Sequence, residues 1–384
     1  MGAADPESEQ QGRLGESTPL LMLPHCSSTR MISGNCDSGS DRYCCFYDVA
    51  NRRFHHIHGG GGGGNPSVVV CRGSAFGWLF MVHQIPSIFL LNPLTGSQIP
   101  LPPITSFPDV LDYNPQRRNF EFVHRLDGEQ RLVVQGRTFF QERFFRKTAV
   151  SAEPTAEDCV VMAIRFNNNY RLAFCRPGGD EWSLVPNPEE EEKIPFMDVV
   201  FWKGKFYAVD CCGRVVVADL SLLHRPKLSF HLNLAPRDFV NSEHPYLIPS
   251  PDEGGDRLMM VTRYMQLVAA SPRGYRTVKF NVYKLDDEDR KGWDEVASIG
   301  DFAIFVGFNS AFSVSTRDHS GLISNSIYFT DDFIDWHQRH KLGGHDMGVY
   351  SLNTRAVKPL YSTSSLHANP LLISPLPVWI LPSN

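Results

Sequence analysis

Nowhere do the 384 residues offer the roughly 18 consecutive apolar positions that a membrane-spanning helix needs. Residues 1 to 17, MGAADPESEQQGRLGES, lack an apolar h-region and are acidic, which argues against a secretory signal and against a mitochondrial transit peptide. The Met-Gly start misses the myristoylation pattern, because Pro6 stands where Ser or Thr is required. A surplus of one charge is also missing. The formal net charge of -5 gives no electrostatic reason to expect nucleic acid or an anionic membrane as partner. Amphipathic helices of ordinary length are absent, and so are the signatures of nucleophilic hydrolases: there is no G-x-S-x-G elbow and no Cys, His and Asp set in a recognisable order. Cysteine is present but does not pair up. Nine is an odd count, and Cys71, Cys159 and Cys175 sit inside apolar runs where a free thiol behaves as a small buried hydrophobe. A reducing compartment, cytoplasm or nucleus, is expected.

What is there is strand punctuation. Residues 1 to 17 read as a disordered polar leader, and from Thr18 onward apolar runs of four to eight residues are bounded by Gly, Pro, Asn or Asp. The runs include LLML (20 to 23), CCFYDV (44 to 49), GWLFMV (77 to 82), VVMAI (160 to 164), KFYAVD (205 to 210), LMMV (258 to 261), SIYFT (326 to 330) and VWIL (378 to 381). A degenerate phrase recurs: an aromatic-rich strand after a glycine, a strand ending in an Asn or Asp turn, then a more polar strand. It appears at Gly77 to Pro102, at Gly204 to Leu234 and at Ser326 to Tyr361, and two further units share the rhythm and end in a strand bearing Trp182 or Trp293. Short even strands that repeat in this way predict an all-β chain, a single β-propeller of four-stranded blades. Six blades are expected, with seven as the alternative. The strands of residues 18 to 57 and the final VWIL would share a blade, so that the chain's two ends close the ring. The propeller is expected over 18 to 384, with 103 to 146 as an inter-blade insertion and 58 to 66 as a flexible Gly-rich loop.

Several clusters invite a chemical reading. Gly59 to Gly64 is followed by Asn65-Pro66 and a strand, whereas a phosphate-cradling loop needs glycines at set offsets before a helix. A flexible loop is expected. His55, His56 and His58 precede it, but alternation along a strand lets only His56 and His58 share an ion, and no further ligand is spaced nearby. The pairs Cys44-Cys45 and Cys211-Cys212 lack the two-residue spacer of a zinc knuckle and read as core or turn thiols. Asp331, Asp332, Asp335, His345 and Asp346 form the densest acidic group, for which turn capping is weighed against acid/base work at a propeller axis. Glu189 to Glu192 reads as a solvated loop. Arg117-Arg118 and the stretch Arg143 to Lys147, interleaved with Phe139, Phe140, Phe144 and Phe145, read equally as a basic aromatic patch for a partner or as half-buried strands with charged outer faces. A lectin would need aromatic platforms in phase, and Trp78, Trp182, Trp202, Trp293 and Trp336 do not recur in phase. No catalytic, cofactor-binding or metal-binding residue is assigned.

Many segments in one order, among them CRGSAFGWLFMV, NPLTGSQIPLP, LAFCRPGGDEWSLV, DVVFWKGKFYAVDCCGRV, IFVGFNSAFSVS, NSIYFTDD, DMGVYSLN and PVWILP, resemble a plant family. It is the F-box-associated family with the KIB-type β-propeller domain, also known as domain of unknown function 295. The resemblance runs from about Thr18 to Pro382. It implies a noncatalytic propeller that recognises a target protein for a cullin-type ubiquitin ligase, with an F-box docking a Skp-type adaptor. The polar residues before Thr18 depart from a Leu-rich helical F-box, so an F-box and its adaptor are not expected here. The expected function is therefore that of a monomeric protein-binding module without cofactor, metal, nucleic-acid or membrane partner. A propeller hydrolase using axial carboxylates, or a decayed copy without selected function, is the alternative.

Overall fold

The computed structural model describes residues 18–23, 43–58, 70–82, 86–126, 131–167, 170–186, 195–223, 225–232, 236, 244–252, 255–268, 274–286, 292–333, 346–360 and 376–382. Of the expectations above, the leader 1 to 17, the glycine run, the acidic run Glu189 to Glu192, Asp335, Trp336, His345 and the side chains of Cys44, His56 and His58 lie outside the described residues.

The described strands form seven sheets. The first holds β1 (Leu20–Leu23), β2 (Tyr43–Asp48) and β3 (Arg53–His58). The second is β4 (Val70–Ala75), β5 (Trp78–Val82), β6 (Ile88–Leu91) and β7 (Gln98–Leu101). Next comes a small sheet of β8 (Val110–Tyr113), β9 (Phe122–Arg125) and β10 (Leu132–Gln135), followed by helix α1 (Arg137–Glu142). The third large sheet is β11 (Phe145–Val150), β12 (Val161–Phe166), β13 (Tyr170–Cys175) and β14 (Ser183–Leu184). The fourth is β15 (Phe196–Trp202), β16 (Lys205–Asp210), β17 (Val215–Asp219) and β18 (Lys227–Leu232). The fifth is β19 (His244–Asp252), β20 (Gly255–Val268), β21 (Gly274–Asp286) and β22 (Gly292–Val296). The sixth contains β23 (Phe302–Val306), β24 (Ala311–Ser315), β25 (Ser326–Phe329), β26 (Gly348–Ser351) and β27 (Ala356–Lys358). The final strand, β28 (Val378–Ile380), returns to the first sheet, where Leu20 faces Ile380 and Met22 faces Val378 in antiparallel register. The two ends of the chain thus share one sheet, as the sequence predicts.

Tight turns set the hairpins at the recurring glycines. Phe76 and Gly77 between β4 and β5 have φ of 51° and 75°, and Lys203 and Gly204 between β15 and β16 have 45° and 76°. Two successive positive φ values make the hairpin turn whose twist matches the flanking strands, and glycine enters the second position without a Cβ clash.

Side chains from each large sheet bury against the next. Trp78, Phe80 and Leu90 of the second sheet pack with Phe145, Val161 and Cys175 of the third. Ile164 and Phe174 of the third pack with Phe206 and Val216 of the fourth. Val215 and Tyr207 meet Met260 and Tyr283 of the fifth. Val282 and Phe280 meet Ile304 and Phe329 of the sixth. Phe305 and Tyr328 of the sixth meet Leu21, Tyr47 and Trp379 of the first. The first closes on the second through Leu20, Phe46 and Ile380 against Leu79 and Met81. These clusters form a closed cycle around an axis. A strand covered on both faces must be apolar throughout, which is why β5, WLFMV, is buried at every position. Removing each such Leu, Phe or Met from water contributes roughly 1.5–3 kcal/mol.

The sixth sheet departs from a simple meander. Its order is β24-β23-β25-β26-β27, with β23 parallel to β25, because the chain turns at Gly307 to Ser310 and lays β24 on the inner side before crossing to β25. A Cβ on Gly307 would collide with the Thr330 hydroxyl and press on Trp379, so the turn requires glycine. No helix among the described residues is long and apolar enough to cross a membrane.

Candidate functional site

The sheets leave a cavity of about 360 Å³ at one end of the axis, where the inner strands β4, β11, β15 and β19 begin. Three of these strands carry a β-bulge. In β4 the register passes from Cys71 to Gly73, in β11 from Phe145 to Lys147, and in β15 from Phe196 to Asp198. The residues skipped are Arg72, Arg146 and Met197, and all three line the cavity. A bulge leaves one residue unpaired and re-aims its side chain. Strands β4 and β11 also approach closely, since a Cβ on Gly73 would strike the Thr148 hydroxyl, and this brings Arg72 and Lys147 to one opening.

The mouth is mixed in character. Lys147, buried, donates to the Gly307 carbonyl at 3.0 Å and stands 3.6 Å from Asp198. Asp198 also accepts from the backbone N–H of Val199 at 2.8 Å and of Leu247 at 2.9 Å. Burial pushes the Lys147 ammonium below its ordinary pKa and the Asp198 carboxyl above it, and their mutual attraction opposes both shifts. Arg146 lies over the Tyr170 ring at 5.2 Å, donates to the Met197 carbonyl at 3.3 Å and meets His244 Nδ1 at 3.3 Å. Arg72 stacks on Phe308 at 4.7 Å and donates to the Gln141 carbonyl at 3.0 Å. Burial pushes the Arg72 guanidinium down to about 10. Glu142 and Arg143 stand exposed on the rim, and Phe166, Phe333 and Tyr246 add apolar surface.

Behind the mouth the acidic cluster is locked in an ionic network. Arg263, fully buried, donates to Asp332 at 2.6 Å and to Asp346 at 2.9 Å, and its Nε donates to Thr277 at 2.7 Å. The Tyr246 hydroxyl donates to Asp332, and the Tyr275 hydroxyl lies 2.7 Å from both oxygens of Asp331. Burial by itself would raise the Asp332 carboxyl, but Arg263, His244 and the Tyr246 hydroxyl together outweigh it and hold the group below the ordinary value. Burial, reinforced by Asp331, lifts the Tyr275 phenol far above its usual range. Asp331 does bond backbone amides, accepting from the Phe333 N–H at 3.4 Å and the Asp346 N–H at 3.2 Å besides Tyr275, whereas the turn-capping expectation is corrected for Asp332, whose partners are Arg263 and Tyr246; both carboxylates are buried.

Arg143, Arg146 and Lys147 line the mouth together with Phe145, which also packs in the core, whereas Phe140 and Phe144 belong to the core alone. Arg117 pairs with Asp112 at 2.8 Å on the small sheet, away from the cavity lining. Cys211 and Cys212 are exposed turn thiols 3.8 Å apart, while Cys45, Cys71, Cys159 and Cys175 are buried. Among the described residues no three His, Cys, Asp or Glu side chains group as metal ligands. Sequence reading alone misses Arg72, Asp198, Tyr246 and Arg263. The signal for the charged ones is a charge inside an apolar run, as in VVVCRG, MDVVF and LMMVTRY.

Among curated proteins the chain is 25% identical to the F-box protein SKIP23 of Arabidopsis thaliana, an alignment covering 80% of this chain and 74% of that one. A putative F-box protein of the same plant is 26% identical, over 82% and 76% of the two chains. Among solved structures it is similar to YCF48 from Cyanidioschyzon merolae, with a TM-score of 0.32 and 11% identity over 59% of this chain and 56% of that one. The WD40 domain of SCAP from fission yeast gives 0.31 and 11% over 83% and 82%. The fold assignment rests on the sheets themselves and on the family model described as KIB1-4 beta-propeller, which matches residues 46–351. With that match spanning most of the cycle of sheets, the chain belongs to the plant F-box-associated family with the KIB-type β-propeller.

Proposed function

We propose that this chain is a noncatalytic protein-binding propeller, the target-recognition part of an F-box-type receptor, and that the mouth at the bulged ends of β4, β11 and β15 takes part in recognition. The observation that carries this reading is the mouth itself: a concave, half-apolar opening whose two buried carboxylates, Asp198 and Asp332, are tied to Lys147 and Arg263. A carboxylate held ionised by a buried guanidinium is poorly placed to shuttle protons. Concavity with aromatic and arginine side chains suits an anchor residue of a partner. The curated relatives carry F-box names, which supports placing the chain in target recognition. In this proposal residues 18 to 384 form one propeller, 103 to 146 is an insertion, and the molecule works as a monomer in the cytoplasm or nucleus.

The test is site-directed photo-crosslinking in plant extract, with the photoreactive amino acid placed at Phe308 in the mouth or at Leu222, which is exposed and outside the cavity lining. Proteins captured from Phe308 and not from Leu222 are the expected result. Equal capture at both positions, or none at either, overturns the reading. Skp-type and cullin subunits among the copurified proteins would place the chain in a ligase, and a captured target without them would place it outside one.

A further inference from the structure

Arg72 is 4% exposed, and its Nε finds no hydrogen-bond partner. One Nη is used by the Gln141 carbonyl and one face by Phe308. Among the described residues no carboxylate lies within ion-pair distance of Arg72, Arg143 or Arg146. Arg146 contacts the Tyr170 ring and hydroxyl, the Met197 carbonyl and the His244 imidazole, and the Asp198 carboxylate acts on it from beyond ion-pair distance. Glu142 on the rim is the counter-charge that Arg72 senses, and it is exposed to solvent. Asp198 and Asp332 face the same space, but each already has its cation.

A buried cation without a counter-ion is destabilising by several kcal/mol, and structures retain one where something else supplies the opposite charge. Here Arg72, buried with no carboxylate in contact, and the half-buried Arg146 occupy the bulge positions of neighbouring inner strands, so local backbone irregularity is what aims them into the cavity. Guanidinium donors match the planar, two-oxygen face of a carboxylate or the oxygens of a phosphate. The volume of about 360 Å³ accommodates one anionic side chain together with an apolar neighbour against Phe308 and Phe333.

We propose that the mouth is an anion socket in which Arg72 and Arg146, with Arg143 at the rim, receive an acidic side chain of a bound peptide. This deepens the protein-binding reading above and rests on it. The shared chemistry is a side-chain oxyanion, whether the carboxylate of Glu or Asp or the phosphate of a phosphorylated residue.

The experiment uses the full chain and random hexapeptide pools with a fixed central Glu, phosphoserine or Gln. Retention of the Glu or the phosphoserine pool by about tenfold or more over the Gln pool is expected, and whichever of the two is retained better identifies the source of the oxyanion. Arg72→Met and Arg146→Gln should each remove most of that preference. Arg143→Ala, on an exposed rim position, should lower it about threefold with the thermal midpoint unchanged. If Arg72→Met does not fold, the other two variants decide. Equal retention of all three pools, or an undiminished preference in Arg146→Gln and Arg143→Ala, overturns the socket. A protein crosslinked at Phe308 alongside equal pool retention would leave the protein-binding reading standing and this one refuted.

Discussion

Asn309 shows how one side chain can act as a piece of backbone. It sits in the turn between β23 and β24, fully buried, with its Oδ1 accepting from the Trp379 N–H at 3.0 Å and its Nδ2 donating to the Trp379 carbonyl at 2.7 Å. The same amide donates to Ser74 at 2.7 Å, and Ser74 in turn donates to the Trp379 carbonyl at 2.7 Å. First, second and sixth sheets are thereby stitched at one point. Asn309→Leu keeps volume but strands the Trp379 N–H and leaves its carbonyl to Ser74 alone, so a loss of about 2 kcal/mol is expected in urea unfolding. Asp332 permits a second prediction. Its carboxyl is held below the ordinary value in the folded chain, so its contribution is fully present above the unfolded carboxylate value of about 3.9 and is lost as pH falls through the lower folded value. Asp332→Asn should destabilise the neutral-pH protein by about 3 kcal/mol through an under-neutralised Arg263 and should flatten the acid limb of a plot of stability against pH. An acid limb identical to that of the wild type would refute the assignment.

At the scale of elements, the small sheet is the outlier. Its strand β10 pairs only with β9 among the described residues, and Leu132 and Val134 on it are 53% and 46% exposed. An open apolar edge invites pairing with another chain. Val134→Lys should raise the concentration at which the protein begins to aggregate, read by light scattering, while leaving the thermal midpoint within about 1 °C because the residue is not in the core. The same contrast between covered and open strands explains what the sequence reveals. Strands such as β5 and β25 are legible because burial on both faces demands unbroken apolar runs, and the hairpin glycines announce their own turns. Strand β24, AFSVS, escapes such a reading, since half-buried positions and two serines blur its period and its parallel crossover has no local signature. The mouth is hidden for a similar reason: a bulge is a register event between two strands, and nothing in CRGSA alone says that Arg72 is the residue left out. Clustered acids are visible, whereas their partner Arg263 sits some seventy positions nearer the N-terminus.

For the whole molecule, closure depends on the three residues of β28. Of these, Trp379 is fully buried, donates its indole N–H to the Val306 carbonyl at 3.0 Å and packs edge-on against Phe305 at 5.1 Å. Trp379→Ala should cost about 4 kcal/mol in chemical denaturation by leaving a cavity between the first and sixth sheets. A loss below about 1 kcal/mol would mean that the ring does not need this strand. In the second to fifth sheets the strand nearest the axis is made first, but in the first sheet that place belongs to β28. On the ribosome, therefore, β1 must wait with a naked margin while some 350 further residues are synthesised, and a chain cut just before Val378 would hold every other strand of the cycle yet still could not seal itself.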